Sequence, residues 1–517
     1  MSPVRQATHA YTPLSDADIT RIHDASLTVL ERTGVEVTSA EALAIFQQAG
    51  AAIDPDRSRV FLPRGMVEDV LAQACHRFTL AGRDEAHDLD MGGERVYMGT
   101  GGAAISVLDL DGTVRESRLT DIAEFARLVD CLHNIHFYQI PVVARDIPDH
   151  LHDINQVYAA LSNTTKHIQT NLNSLSSARD VMALATMVAG SPAALAAHPF
   201  LSFVTCCVNS PLRYDPLPTA LMIELVRNDL PVAISCAPIT GMTAPMALAG
   251  SLVQINAEVL SGLVLANLVR PGARILAGYV PTVADHRQGG VAVGTPEFAL
   301  MNAAAAQLAH FYDIPIYNSA GTADSKLPDV QAGYEKAMTS TIAALSGANF
   351  IHHTAGMLES LLCVASEQYV IDDDINGSVM RLVRGIEVDD QTLSVDVIDE
   401  VCNGGQFYLE NSQTLELMRS ECFYPRITDR KPRIDWEAKG SLDMRERARH
   451  RACTILTTHQ PTRLPAAVDQ AIRARFEILL PPELSGSPIP LGYPVQLPER
   501  IVEAEEAEFA VYECDRR

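Results

Sequence analysis

Residues 275–318 read ILAGYVPTVADHRQGGVAVGTPEFALMNAAAAQLAHFYDIPIYN. An apolar run, Ile275–Tyr279, is followed by a segment with helical spacing, Pro296–Phe311, and then by a second short run, Ile316–Asn318. Short apolar runs read as buried strands, and apolar residues recurring every three or four positions read as a helix. Two strands joined by a helix are the unit of a parallel sheet, because parallel neighbours need a long crossover connection.

The same unit recurs outward in both directions. Before it come runs at Val96–Met98, Phe137–Val143, His167–Thr170, Leu201–Cys206 and Val232–Ser235; after it comes Phe350–His352. Segments with helical spacing separate them at Asp121–Leu132, Ile154–Leu161, Ala178–Val188, Thr219–Arg227, Ala247–Val269 and Gln331–Leu345. About eight alternations over roughly 260 residues predict a (β/α)8 TIM barrel within the α/β class. A doubly wound open sheet has fewer units and a phosphate loop after its first strand. Several runs end in small or polar residues, among them Gly99–Gly102, Gln169-Thr170-Asn171 and Asn318–Gly321, as expected of the C-terminal rim where barrels build active sites. The flanks divide into an N-terminal helical and mixed extension over 1–94, the barrel over 95–385, a C-terminal helical region over 386–480 and a Pro-rich, acidic tail over 481–517. Within the extension, Ser15 caps a helix to Arg32, Glu41–Gln48 and Arg64–Ala74 are helical, and Val35–Val37 and Phe78–Leu80 are short strands.

Composition narrows the partners. A formal net charge of -24 argues against nucleic acid and anionic membranes, which attract basic surfaces. Met1 to Pro13 holds no apolar core of a signal peptide, and the apolar stretch Gly241 to Val269 is broken by Gln254, Asn256 and Glu258, so it reads as a buried helix. The ten cysteines have no framework spacing and no CxxC, which predicts reduced thiols in the cytoplasm.

Candidate chemistry gathers at the predicted rim. Gly99–Gly102 lacks the spacing of GxGxxG and the Lys of a P-loop, so it reads as a tight turn, with close approach of Gly101 to a ligand left open. Cys206, Cys207 and Cys236 end adjacent runs; they are either a zinc-thiolate set or buried structural cysteines. His352 and His353 end the last run, and strict alternation lets at most one point inward. Glu359 is a counter-charge for a cation or a helix N-terminus carboxylate. Aromatic faces bind quaternary ammonium groups, which makes Tyr97, Phe137, Tyr138, Phe203, Tyr279 and Tyr317 candidates, Tyr279 foremost because it follows Gly278 at a strand end.

The segments Leu80-Ala81-Gly82-Arg83, Tyr97–Gly102, Ser235–Pro245, Asn256–Leu260 and Asn267–Gly272 resemble the trimethylamine methyltransferase family. So do Gly294–Glu297, the long stretch Ala323–Asp329 running into Gln331–Lys336, Gly347-Ala348-Asn349 and Gly356–Glu359; the match extends in order from about residue 10 to 480. The resemblance implies a (β/α)8 barrel and a place in one-carbon metabolism. It also implies transfer of a methyl group from an amine nitrogen to Co(I) of a corrinoid (cobalamin-type) group held by a cognate corrinoid protein, with no cofactor bound tightly by this chain. Founding members carry pyrrolysine, whereas this chain uses the twenty standard residues. A quaternary amine needs no such aid, since it leaves as a neutral amine. A small betaine-type substrate is therefore expected, with Tyr279, Tyr97 and Glu359 facing its cation. Gln169, Asn171, Asn318 and His353 then hydrogen-bond the rest of it, and Gly101, Asp324 and Lys326 lie in the mouth loops that face the corrinoid, the last two ordering the mouth. Alternatives are a zinc-dependent transfer to a thiol and a betaine-binding protein without turnover. Barrel enzymes of this size commonly associate, so a homo-oligomer is expected.

Overall fold

The computed structural model describes residues 10–405 and 407–486. Eight parallel strands close into a barrel in sequence order: β1 (Tyr97–Thr100), β2 (Phe137–Gln139), β3 (His167–Thr170), β4 (Leu201–Thr205), β5 (Val232–Cys236), β6 (Ile275–Tyr279), β7 (Ile316–Ser319) and β8 (Phe350–Ala355), with β8 returning to β1. The helices that follow them are α1 (Leu119–Cys131), α2 (His152–Leu161), α3 (Leu175–Ala189), α4 (Pro216–Arg227), α5 (Leu248–Val269), α6 (Pro296–Phe311), α7 (Val330–Leu345) and α8 (Ser366–Arg384). The run expected at Phe137–Val143 is regular strand only as far as Gln139, with an isolated bridge from Val142 to Ala104 beyond it, and the last strand runs three residues past His352.

Local chemistry places these elements. Helix α6 begins where Thr295 accepts the Phe298 N–H and Pro296 supplies a preset φ. Its small residues, Ala303 to Ala306, are buried and let the helix lie close to the sheet. Helix α5 is the one described helix long and apolar enough to cross a membrane, but 78% of its apolar window is buried inside the molecule. It lies between the sheet and two N-terminal helices, Asp16–Arg32 and Arg64–Gln73, so it is apolar all round because it is covered all round.

The N-terminal segment is knit into the barrel. Val35–Val37 pairs in parallel with Arg213–Tyr214, which lies between β4 and α4. The hairpin of Phe78–Leu80 and Leu89–Met91 packs Leu80, Leu89 and Met91 against the inward residues Phe137, Ala233, Leu276 and Phe350. It thereby plugs the N-terminal end of the barrel and leaves the other end as the way in. At the far end of the chain, Met444–Thr458 packs along α8, and Arg445 and Arg449 both reach the buried Glu367. Of the tail expected over 481–517, residues 487–517 lie outside the described residues; the Gly486 N–H, just before them, donates to Asn163 at 3.2 Å.

Candidate active site

Alternation along each strand decides which side chains enter the barrel. His167 and Gln169 on β3, Ser202 and Val204 on β4, Tyr317 and Ser319 on β7, and Phe350 and His352 on β8 face inward. A relay rises from the plug. The His167 Nδ1–H donates to the Ala81 carbonyl at 2.8 Å, so its Nε2 accepts the Ser202 hydroxyl at 2.7 Å. Ser202 Oγ in turn accepts the Gln169 amide N–H at 3.2 Å. This chain fixes which way the Gln169 amide points, and its Oε1 is left buried without a partner.

Strand β8 breaks its register against β1 between Ile351 and Ala355, and His353 sits at φ 70. A bulge of this kind re-aims side chains. Both histidines therefore enter the barrel, which corrects the expectation that only one does. The His352 ring stacks on Tyr317 with centroids 4.0 Å apart, and the His353 ring lies 3.9 Å from His352. Burial pushes His353 down to about 4 and His352 well below its ordinary value, so both are neutral. A neutral ring carries one N–H. That of His353 is on Nε2, because its partner at 3.1 Å is the Gly102 carbonyl; Nδ1 then accepts the Ser319 hydroxyl at 2.9 Å. His352 is different: both its nitrogens are buried and unpartnered. Polar atoms left open in a buried wall are costly unless something fills them.

The glycines at the mouth serve these rings. A Cβ on Gly101 would fall inside the imidazole of His353, and one on Gly99 would strike Phe137. Gly101 thus approaches a histidine of the chain itself.

Of the residues expected at the site, His353 and Gly101 come together, and Gln169 faces the same barrel interior. Tyr279 does not join them: its hydroxyl donates to Asn256 of α5 at 2.8 Å, in a buried network with Ser26 and Tyr312 outside the barrel. Asn318 also faces outward, its amide donating to the Tyr279 carbonyl at 3.1 Å. Both lie on the parity of Ile234 and Ile351, the helix-facing side. Tyr97 opens β1 at the plugged end, where its hydroxyl accepts the Asp90 N–H at 3.2 Å. Asn171 is exposed in the loop after β3. Phe137 lies in the floor, while Tyr138 faces α1 and donates to the Ile122 carbonyl.

Asp324, Lys326 and Glu359 stand in rim loops. Asp324 accepts the N–H groups of Val293 and Gly294 at 3.1 Å and the Ser360 hydroxyl at 2.7 Å, tying together the loops that follow β6, β7 and β8. Lys326 donates to the Asp324 carbonyl at 2.8 Å, and the Glu359 N–H donates to the Ser325 carbonyl at 2.7 Å. Glu359 sits in a 3-10 turn between two short strands, so it does not start an α-helix.

The cysteines do not make a zinc site. Cys206 continues the inward parity of Ser202 and Val204 and is exposed, whereas Cys207 and Cys236 are buried. Burial pushes the Cys207 thiol up to about 12 and that of Cys236 well above its ordinary value, the reverse of what a thiolate ligand needs. Among the described residues no group of three or more His, Cys, Asp or Glu side chains is placed to hold a metal.

Strand alternation could have pointed to Gln139, Ser202 and Tyr317. His353 could not be found that way, because the bulge that turns it inward has no local signature.

The chain matches the family model described as trimethylamine methyltransferase (MTTB) over residues 1–477. It is 34% identical over 464 residues to trimethylamine methyltransferase MttB of Desulfitobacterium hafniense (strain DSM 10664 / DCB-2), covering 90% of this chain and 93% of that one. It is 32% identical over 467 residues to glycine betaine methyltransferase of Desulfitobacterium hafniense (strain Y51), covering 90% and 96%. Trimethylamine methyltransferase MttB of Methanosarcina barkeri (strain Fusaro / DSM 804) is 35% identical over 465 residues, covering 88% and 93%. The barrel, its plugged floor and its polar mouth are thus those of a methyltransferase, and the chain belongs to the trimethylamine methyltransferase family.

Proposed function

We propose that this enzyme moves a methyl group from the quaternary nitrogen of a small betaine to Co(I) of a corrinoid carried by a separate protein. The Co(I) supplies the electron pair of the new bond to carbon. The pair of the broken C–N bond stays on nitrogen, so the amine leaves neutral and takes no proton. A site for this reaction needs no general acid; it needs placement and exclusion of water.

The observation that carries the reading is the uncharged polar lining that Gln169 and His352 give the barrel interior. Both are buried, both present unpartnered polar atoms, and the histidines beside them are neutral. Gln169 Oε1 meets the positively polarised methyl groups, while the His352 N–H donates to the substrate carboxylate. Tyr317 is stacked between Phe350 and His352, so its faces are already taken and the cation is met by lone pairs. The plug closes the floor, and the partner approaches from the mouth. Exposed apolar side chains surround that mouth from separate loops, Ile105, Met242, Met246, Leu327 and Leu362, a rim suited to docking a protein. We place the reaction in the cytoplasm, in keeping with the free thiols of all nine described cysteines.

The test is methylation of free cob(I)alamin, followed by its spectral change, with trimethylamine, glycine betaine, proline betaine and carnitine. Turnover with one of the betaines is expected. Demethylation of trimethylamine with none of the betaines would overturn the reading.

A further inference from the structure

Beyond α8 the chain forms three short helices, Val395–Gly404, Ser412–Glu421 and Arg433–Ala438, which together bury a single residue, Val401. Helices this short are marginal in water unless a face is packed. In the first, Val395, Ile398 and Val401 form a stripe at helical spacing, yet Val395 and Ile398 are exposed. Ile386 is 85% exposed, Leu409 79% and Ile434 74%. The segment is fastened at its C-terminal side, where Asp374 accepts the N–H groups of Arg426, Ile427 and Thr428 at 2.8 to 3.0 Å and Gly377 makes room for the Phe423 ring. So many large apolar side chains left exposed along one segment mark a contact.

Charge identifies the partner. Residues 386–421 carry nine acidic side chains and one basic, whereas residues 426–440 carry five basic and three acidic. The two stretches adjoin and have opposite signs. Two copies related by a two-fold axis near residues 422–425 would lay the acidic, apolar stretch of each on the basic stretch of the other, an isologous contact. Superposing like stretches would instead oppose nine acidic side chains to nine.

We propose that residues 386–440 form a self-complementary docking surface for a second copy of this chain. Sedimentation of the full-length protein at micromolar concentration should show a dimer or a larger even assembly in about 0.1 M salt. Leu409→Glu and Arg430→Glu should each weaken it roughly tenfold or more. Raising the salt to about 0.5 M should weaken it further. Circular dichroism melting checks that each variant folds, and the salt series needs no variant. A monomeric wild-type protein would overturn the proposal, as would an assembly indifferent to both substitutions and to salt. So would a monomer in which amide exchange over 395–418 is slowed only while residues 487–517 are present, since that assigns the surface to the chain's own tail.

Discussion

Gln169 shows how a single side chain is made into a binding group. Its amide is aimed by Ser202, Ser202 by His167, and His167 by a carbonyl of the plug, so a substrate-facing oxygen depends on residues beneath it. Gln169→Leu removes that oxygen, and His352→Phe keeps a ring beside Tyr317 while removing both nitrogens. Each is expected to lower kcat/KM for the betaine by about 10- to 100-fold, the usual worth of a hydrogen bond to a charged group. Thermal unfolding of His352→Phe should be nearly unchanged, because its nitrogens have no partner, whereas Gln169→Leu also loses the bond to Ser202 and should cost about 1 kcal/mol. Activity within twofold of wild type in both would remove these residues from the site. Gln169 was legible as the polar end of a strand; Tyr279 looked equally good and faces the other way. The difference is one of parity, and parity depends on where pairing starts, which a short apolar run leaves ambiguous by a residue.

At the scale of elements, the stretch Asp324–Lys336 is a loop and helix start that hold themselves together. Asp329 caps α7 through the Ala332 N–H, Ser325 donates to Asp329, and Glu335 accepts the Asp324 N–H. The buried Lys336 lies 3.0 Å from Asp372 of α8 and donates to the Gly321 carbonyl, while Asp372 also accepts the Gly356 N–H. One ion pair thus joins two helices to the loops after β7 and β8. Lys336→Met leaves an unpaired buried carboxylate and should cost about 3–5 kcal/mol in urea unfolding. The double variant Lys336→Met/Asp372→Leu should recover much of that loss; an equal loss in both would show that the charge pair is not the cause. The motif was conspicuous in the sequence and its helix was predicted within a residue. Its partner on α8 was not, because a contact between residues 36 positions apart leaves no periodicity to read.

For the whole molecule, burial of neutral rings sets the acid limit. His136, His167 and His353 are each lowered to about 4 by burial. The unfolded chain protonates such rings near pH 6.5, so their contribution is full above that pH and is lost as the pH falls toward about 4. Each ring acts at about 1.4 kcal/mol per pH unit within that window. Glu124, raised to about 7 by burial, works in the opposite sense, as do Glu258, Asp372 and Asp373, while burial lowers His23, His87 and His352 as well and adds them to the histidine side. Urea midpoints should therefore fall between pH 7 and pH 5; a flat or rising series would contradict this balance. The barrel follows from sequence alone, because eight short apolar runs and the seven helical segments between them satisfy one closed arrangement, and the bounds of β3, β6 and α6 follow from it to the residue. So does the family, through motifs spread along the chain. Which side chains enter the barrel was settled by folding alone. The bulge at His353, the plug under His167 and the outward turn of Tyr279 depend on contacts between distant segments, and such contacts are made only when the chain has folded.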